Sequence, residues 1–183
     1  VIAFNPKNVE AYNNRGKAKL DLRDKQGAIA DFSQAIAISP KNVEAYNNRG
    51  YARLGLDDKQ GAIADFGQAI EINPKNFDAF NNRGNAKLGL GDKQGAIDDF
   101  SRAIAINPSN AEAYSNRGNA KFGLGDKQGA IADLSRAIAI NPNNAETYNN
   151  RGNAKSGLGD KKGAIADFSQ AIAINPNNAE AYN

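Results

Sequence analysis

Prolines fall at Pro6, Pro40, Pro74, Pro108, Pro142 and Pro176, and every interval between them is 34 residues. The text between them recurs without insertion or deletion, giving five whole copies over 9–42, 43–76, 77–110, 111–144 and 145–178. A fixed period of this size is the mark of a stacked architecture, in which each unit contacts only its neighbours. The usual reading of 183 residues as one or two globular domains therefore gives way to a row of small, equal parts. Positions within the repeat are counted 1 to 34 from Val9, Val43, Phe77, Ala111 and Ala145.

Each copy reads as two helices. Asn8, Asn42, Asn76, Asn110 and Asn144 stand where the first helix (helix A) begins, and Asn caps a helix by accepting a hydrogen bond from a free first-turn amide. An acid follows two residues later (Glu10, Glu44, Asp78, Glu112, Glu146), close to the positive end of the helix dipole. Helix A is expected to stop at Gly55, Gly89, Gly123 and Gly157 in the left-handed conformation that glycine adopts without strain, with Asp21 a poorer residue there in the first copy. Helix B is expected to start at the caps Asp24, Asp58, Asp92, Asp126 and Asp160. It then shows an apolar stripe such as Ala62, Ile63, Phe66, Ala69 and Ile70, and ends before the proline. Gly16, Gly50, Gly84, Gly118 and Gly152 fall inside helix A, where Gly costs about 1 kcal/mol relative to Ala, so helix B is expected to cross there. The recurring Arg15, Arg49, Arg83, Arg117 and Arg151 have partner candidates in Asp31, Asp65, Asp99, Asp133 and Asp167, an expected ion pair within each hairpin.

In the second copy, Tyr46, Arg49-Gly50, Arg53, Ala62, Phe66 and Pro74 occupy the places of an aromatic, Leu-Gly, Tyr, Ala, Phe and Pro pattern. On those residues the chain resembles the tetratricopeptide repeat family, over essentially its whole length. Two departures recur in every copy: Arg stands for the Leu, and Lys or Arg for the second Tyr. The resemblance implies an all-α fold, a right-handed α-solenoid of stacked antiparallel helix hairpins. Val1 to Asn8 aligns with the end of a preceding repeat and Ala179 to Asn183 with the opening of a sixth, which reads as a piece of a longer array.

Composition narrows the chemistry. Lys plus Arg is 23 against 20 Asp plus Glu, a net charge of +3 that is too small and too interleaved to point to nucleic acid. With no His and no Cys there is no imidazole base, thiolate nucleophile or zinc site of the usual kind, and no cofactor is expected. Nor does any apolar run approach the roughly 18 residues of a membrane span. The Gly89 to Gly95 stretch has the glycines of a phosphate loop but not the required order, and it recurs as the hairpin turn. The acid pairs Asp57-Asp58 and Asp98-Asp99 diverge on a helix and read as solvated surface. An enzyme is not expected.

The informative row is polar. Positions 2, 5, 6, 9 and 12 fall on one side of helix A, the side that the resemblance implies faces a concave groove. Position 5 holds Asn13, Asn47, Asn81, Ser115 and Asn149; position 6 holds Asn14, Asn48, Asn82, Asn116 and Asn150. Position 9 holds Lys17, Tyr51, Asn85, Asn119 and Asn153, and position 12 holds Leu20, Leu54, Leu88, Phe122 and Ser156. Asn is a mediocre helix former, and each carboxamide offers a donor pair and an acceptor, the complement of a peptide group. The row is therefore expected to clamp the backbone of an extended protein segment, with Asn at helix ends or inter-repeat contacts as the competing account. The family's chaperone-binding version needs Lys and Arg at positions where this chain has Asn or Ser, an acid and Asn, so that partner is not expected.

The expected function is a protein- or peptide-binding module with no membrane or nucleic-acid partner. The alternatives are a self-associating scaffold and the substrate-recruiting arm of an enzyme. The apolar faces of the first and last copies, around Tyr12 and Ala18 and around Ile165, Phe168 and Ile172, also suggest head-to-tail self-association.

Overall fold

A computed structural model of the protein describes residues 7–176. Among them are ten helices and no strand: α1 Val9–Asp21, α2 Lys25–Ile38, α3 Val43–Leu54, α4 Lys59–Ile72, α5 Phe77–Gly89, α6 Lys93–Ile106, α7 Ala111–Gly123, α8 Lys127–Ile140, α9 Ala145–Gly157 and α10 Lys161–Ile174. The expected partial repeats at the two ends lie outside the described residues, apart from Lys7 and Asn8. The chain divides into two compact units, Val1–Gly91 with α1 to α5 and Asp92–Asn183 with α6 to α10.

The helix starts follow from the caps. The amides of Ala11 and Ala45 donate to the side-chain oxygens of Asn8 and Asn42, each at 2.9 Å. The amides of Gly27, Gly61 and Gly95 donate to Asp24, Asp58 and Asp92 at 2.9 Å. Helix B ends where the residue before proline leaves the helical region, as at Ser39, with φ −131°.

In the first unit α1 and α2 pack as one hairpin, α3 and α4 as the next, and α5 packs on α4. In the second unit α7 with α8 and α9 with α10 form hairpins, and α6 packs on α7. The core is small and aromatic-centred. Phe66 is fully buried in a cluster with Ala62, Ala69 and Ala79, so α5 closes over α4. Leu134 takes the same place in the second unit, with Ala130 and Ala154. The position 8 glycine makes room for this residue. A Cβ built on Gly16 would sit 2.6 Å from Phe32, and one on Gly118 would sit 2.9 Å from Leu134. Such distances are impossible for real atoms, so the helical weakness of Gly is outweighed by a ring seated against bare backbone.

The turn between the helices differs from expectation. Gly55 keeps right-handed angles (φ −66°), and Gly89, Gly123 and Gly157 are the last residues of their helices. The left-handed residue lies two places later, at Gly91, Gly125 and Gly159, and in the first two copies at Arg23 (φ 62°) and Asp57 (φ 63°). Position 13 is glycine in these copies for a different reason. Its carbonyl accepts from the first lysine of helix B one repeat earlier, as in Lys93 Nζ to Gly123 and Lys127 Nζ to Gly157, both 2.7 Å. A Cβ on Gly55 would lie 2.8 Å from the Lys25 side chain that makes the same contact.

A left-handed conformation is disfavoured for residues with a Cβ, and less so for Asp, whose short side chain tolerates it. Arg23→Gly is therefore expected to raise the unfolding free energy by about 0.5–1 kcal/mol, the relief being offset by the greater freedom of the unfolded glycine chain. Asp57→Gly is expected to gain less. Urea midpoints measure both, and a lower midpoint for Arg23→Gly would show that this turn carries no strain.

Candidate functional site

The face of helix A that meets solvent is set from beneath by a charge network. Asp31, Asp65, Asp133 and Asp167 are buried on helix B. The guanidinium one helix away grips each of them with two nitrogens. Arg49 donates to Asp65 at 3.0 and 2.6 Å, and Arg117 to Asp133 at 2.8 and 2.7 Å. A second cation from position 11 completes the site: Lys19, Arg53, Lys121 and Lys155 approach the same carboxylates at 2.9 or 2.8 Å. The remaining Arg nitrogen reaches the preceding repeat, Arg49 to Ser33 at 3.1 Å and Arg151 to Ser135 at 3.0 Å. Each guanidinium also stands about 5.6 Å over the ring three residues earlier, as Arg49 does over Tyr46. Of the acid pair expected on the surface, Asp98 is exposed but Asp99 is buried, because position 23 points into the hairpin.

With helix A held in that rotation, the candidate row separates. Position 5 turns inward in three copies, where Asn13 is 3 % exposed and Asn81 and Asn149 are 5 % exposed, while Asn47 and Ser115 are half-buried. Ser115 Oγ lies 3.4 Å from Thr147 Oγ1, so this position faces position 3 of the next helix A. Position 6 turns outward. Asn14 is exposed, and Asn48, Asn82, Asn116 and Asn150 are half-buried.

In the first unit, Asn47, Asn48, Tyr51 and Asn82 line a cleft of about 630 Å³, together with Glu44 and Asp78 from position 2. The loop residues Asn73, Lys75 and Asn76 close one side of it. Sequence reasoning did not select these, although they sit in the conspicuous Asn-Pro-Lys-Asn turn. Leu20, Tyr51 and Leu54 line a second cleft of about 370 Å³ with Ala52, Gly55, Arg23 and Lys25. Tyr51, 60 % exposed, is thus a wall of both. Lys17 instead forms an ion pair with Glu44. Asn85 and Leu88 are half-buried and line neither cleft. In the second unit Asn119 is half-buried, while Phe122 and Asn153 are exposed. The groups of the two clefts can exchange hydrogen bonds, cover an apolar side chain and present charge. Among the described residues no cluster of acids could hold a metal ion.

Family models described as tetratricopeptide repeat match residues 43–76, 111–144 and 145–178, and 66–98. One described as TPR repeat matches 25–56 and 84–125. The chain belongs to the tetratricopeptide repeat family. No curated protein matches it. Among solved structures, MamA protein is 27 % identical with a TM-score of 0.84, covering 94 % of both chains. MamA from Desulfovibrio magneticus RS-1 is 20 % identical with a TM-score of 0.86, covering 93 % of this chain and 97 % of that one. YrrB, described as a TPR protein with an unusual peptide-binding site, is 20 % identical with a TM-score of 0.83, covering 99 % and 93 %. The fold is accordingly an all-α solenoid of helix hairpins, and the tetratricopeptide chain is a protein-interaction module.

Charge at positions 7, 11 and 23 gives this tetratricopeptide chain a pH signature. Burial pushes the Asp31 carboxyl up, but hydrogen bonds from Arg15 and Lys19 outweigh it and hold the group below the ordinary carboxylate range. Burial is likewise outweighed at Asp167 by Arg151 and Lys155. A carboxyl depressed in the folded state adds stability that is present above its unfolded value of about 4 and is lost as pH falls through the folded value. Thermal melts from neutral to strongly acid pH are expected to fall below about pH 4, with a shallower acid limb in Asp31→Asn with Asp167→Asn. An acid limb unchanged by the double substitution would remove these carboxylates from the account.

Proposed function

We propose that the protein is a non-catalytic module that grips an extended peptide segment on the exposed side of its A helices. The position 6 carboxamides supply the hydrogen bonds to the ligand backbone. The observation that carries this reading is the first-unit cleft, in which Asn48 and Asn82 come from successive A helices to a space of about 630 Å³. Its other polar groups suit the same ligand, since an exposed peptide offers both donors and acceptors. The peptide-binding site in the description of YrrB supports the ligand class through shared fold. Of the position 5 amides, Asn47 lines the same cleft, while the buried Asn13, Asn81 and Asn149 space adjacent A helices.

A library of random peptides displayed on phage, panned on the protein, supplies the ligand for the test. Asn48→Ala with Asn82→Ala removes two backbone contacts worth about 0.5–1.5 kcal/mol each, so affinity for a selected peptide is expected to fall about tenfold. The melting curve is expected to stay put, because neither side chain is part of the Asp-centred network. Fluorescence anisotropy measures the affinity, and an undiminished value in the double variant would exclude the position 6 clamp.

A second reading, a self-associating scaffold, is favoured by the two outer helices. Ile165 on α10 is 65 % exposed, and Ala18 on α1 is exposed where its counterparts Ala52, Ala120 and Ala154 are buried. A head-to-tail contact between copies would cover both faces. Sedimentation at rising concentration is expected to reveal association that Ile165→Lys abolishes, and a chain that stays monomeric at millimolar concentration rules it out.

A further inference from the structure

The turn at Arg23 combines two features that packing does not explain. Its residue adopts left-handed angles, φ 62°, where the third, fourth and fifth repeats have glycine. Its guanidinium is exposed and has no carboxylate partner among the described residues. Arg15, Arg49, Arg117 and Arg151 pair with the buried acids, and Arg53 pairs with Asp58 and Asp65. Glycine at this place would relieve the backbone, so the side chain is the feature to account for.

Arg23 stands at the rim of the smaller cleft, whose walls are the side chains of Leu20 and Leu54, the Tyr51 ring and Ala52. That lining is apolar, in contrast to the carboxamides on the other side of Tyr51. The second cation at the rim, Lys25, donates its Nζ to the Gly55 carbonyl and is fixed there. The nearby carboxylates are mostly committed elsewhere. Asp24 and Asp58 accept from the amides of Gly27 and Gly61, and Asp57 pairs with Lys59. Asp21 is exposed and does not line the cleft. The cleft therefore has an apolar floor, an aromatic wall and a rim of two cations, one of them free.

We propose that this cleft selects among the peptides of the proposed function for an aliphatic side chain followed or preceded by an acidic one. The aliphatic group enters between Leu20 and Leu54 against Tyr51, and the neighbouring carboxylate pairs with Arg23. The inference rests on the peptide-binding reading, since it shares Tyr51 with the carboxamide cleft. It assigns Arg23 as a specificity-determining residue, retained at the expense of a strained turn. The backbone contacts at Asn48 and Asn82 hold any peptide, and the contacts at Leu20, Leu54 and Arg23 choose one.

The probe is a random dodecapeptide library on phage, panned on the whole 183-residue chain. The strongest selected peptide is then synthesised with both ends blocked, alongside an analogue with its acid changed to the amide. Selected peptides are expected to share an aliphatic residue next to Asp or Glu. Arg23→Gly is expected to weaken the acidic peptide about threefold to fivefold, as for an exposed ion pair, and to leave the amide analogue unchanged. Arg23→Lys is expected to recover part of the loss. Leu20→Ser, which copies the residue of the fifth repeat, is expected to weaken both peptides about tenfold through lost apolar contact. Asp57→Gly, with the same change of backbone one repeat away, is expected to alter neither. Peptides without the aliphatic–acidic pair, or equal losses for acid and amide on Arg23→Gly, overturn this inference while sensitivity to Asn48→Ala and Asn82→Ala keeps the peptide-binding reading. Insensitivity to all of these variants, or a library that yields no binder, overturns both.

Discussion

The carboxylate at position 23 is the point on which each hairpin turns. It is buried on helix B and meets two cations from helix A, one bidentate. Stripping such a carboxylate of both cations leaves a buried charge uncompensated, which is far more damaging than losing an exposed ion pair. The guanidinium also holds three helices at once, because its free nitrogen reaches the serine of the preceding helix B. It also lies over the position 4 ring of its own helix, which holds the guanidinium in place for these contacts. The rotation of helix A therefore follows from an electrostatic contact, where the family pattern has Leu and Tyr at the same places. A helix fixed in rotation presents the same positions to solvent in every copy.

Much of this was legible because the relevant signals are local. The asparagine and aspartate caps stand at helix starts because the bond they make spans three residues. The glycines of position 8 and the Arg–Asp pairing could be read from co-recurrence alone, one a hole and the other its complementary charge. What escaped depended on neighbours 30 residues away. Position 13 carries glycine because a lysine from the preceding repeat crosses it, and no local rule distinguishes that from a left-handed cap. The left-handed residue was hidden because two copies place Arg23 and Asp57 there. Asp99 reads as surface beside Asp98, since adjacent acids look alike until the helix is assigned a face.

The candidate row shows the same limit. Positions 5 and 6 carry the same residue type, yet about 100° of rotation separates them. That is enough to bury Asn13, Asn81 and Asn149 while every position 6 side chain keeps some exposure. The sequence offered one hint. Position 5 alone accepts Ser115, and in the same stretch position 3 changes from Ala to Thr147, so the two hydroxyls meet across the interface. A compensating pair of this kind identifies a packing contact, while position 6 keeps Asn in all five copies without any such partner change.

The two uses of asparagine are linked mechanically. Position 5 packs one helix A against the next through a short polar side chain, with position 3 kept small. That packing sets the distance between neighbouring helices, and so the distance between the position 6 amides of Asn48 and Asn82 that share a cleft. A larger residue at the buried Asn81 would widen the cleft by moving its walls, without replacing any group that lines it. The buried row therefore determines the span over which the exposed row can act, and the Asp-centred network determines which row is which. Under the proposed function, affinity for a backbone is a property of the packing between repeats as much as of the amides themselves.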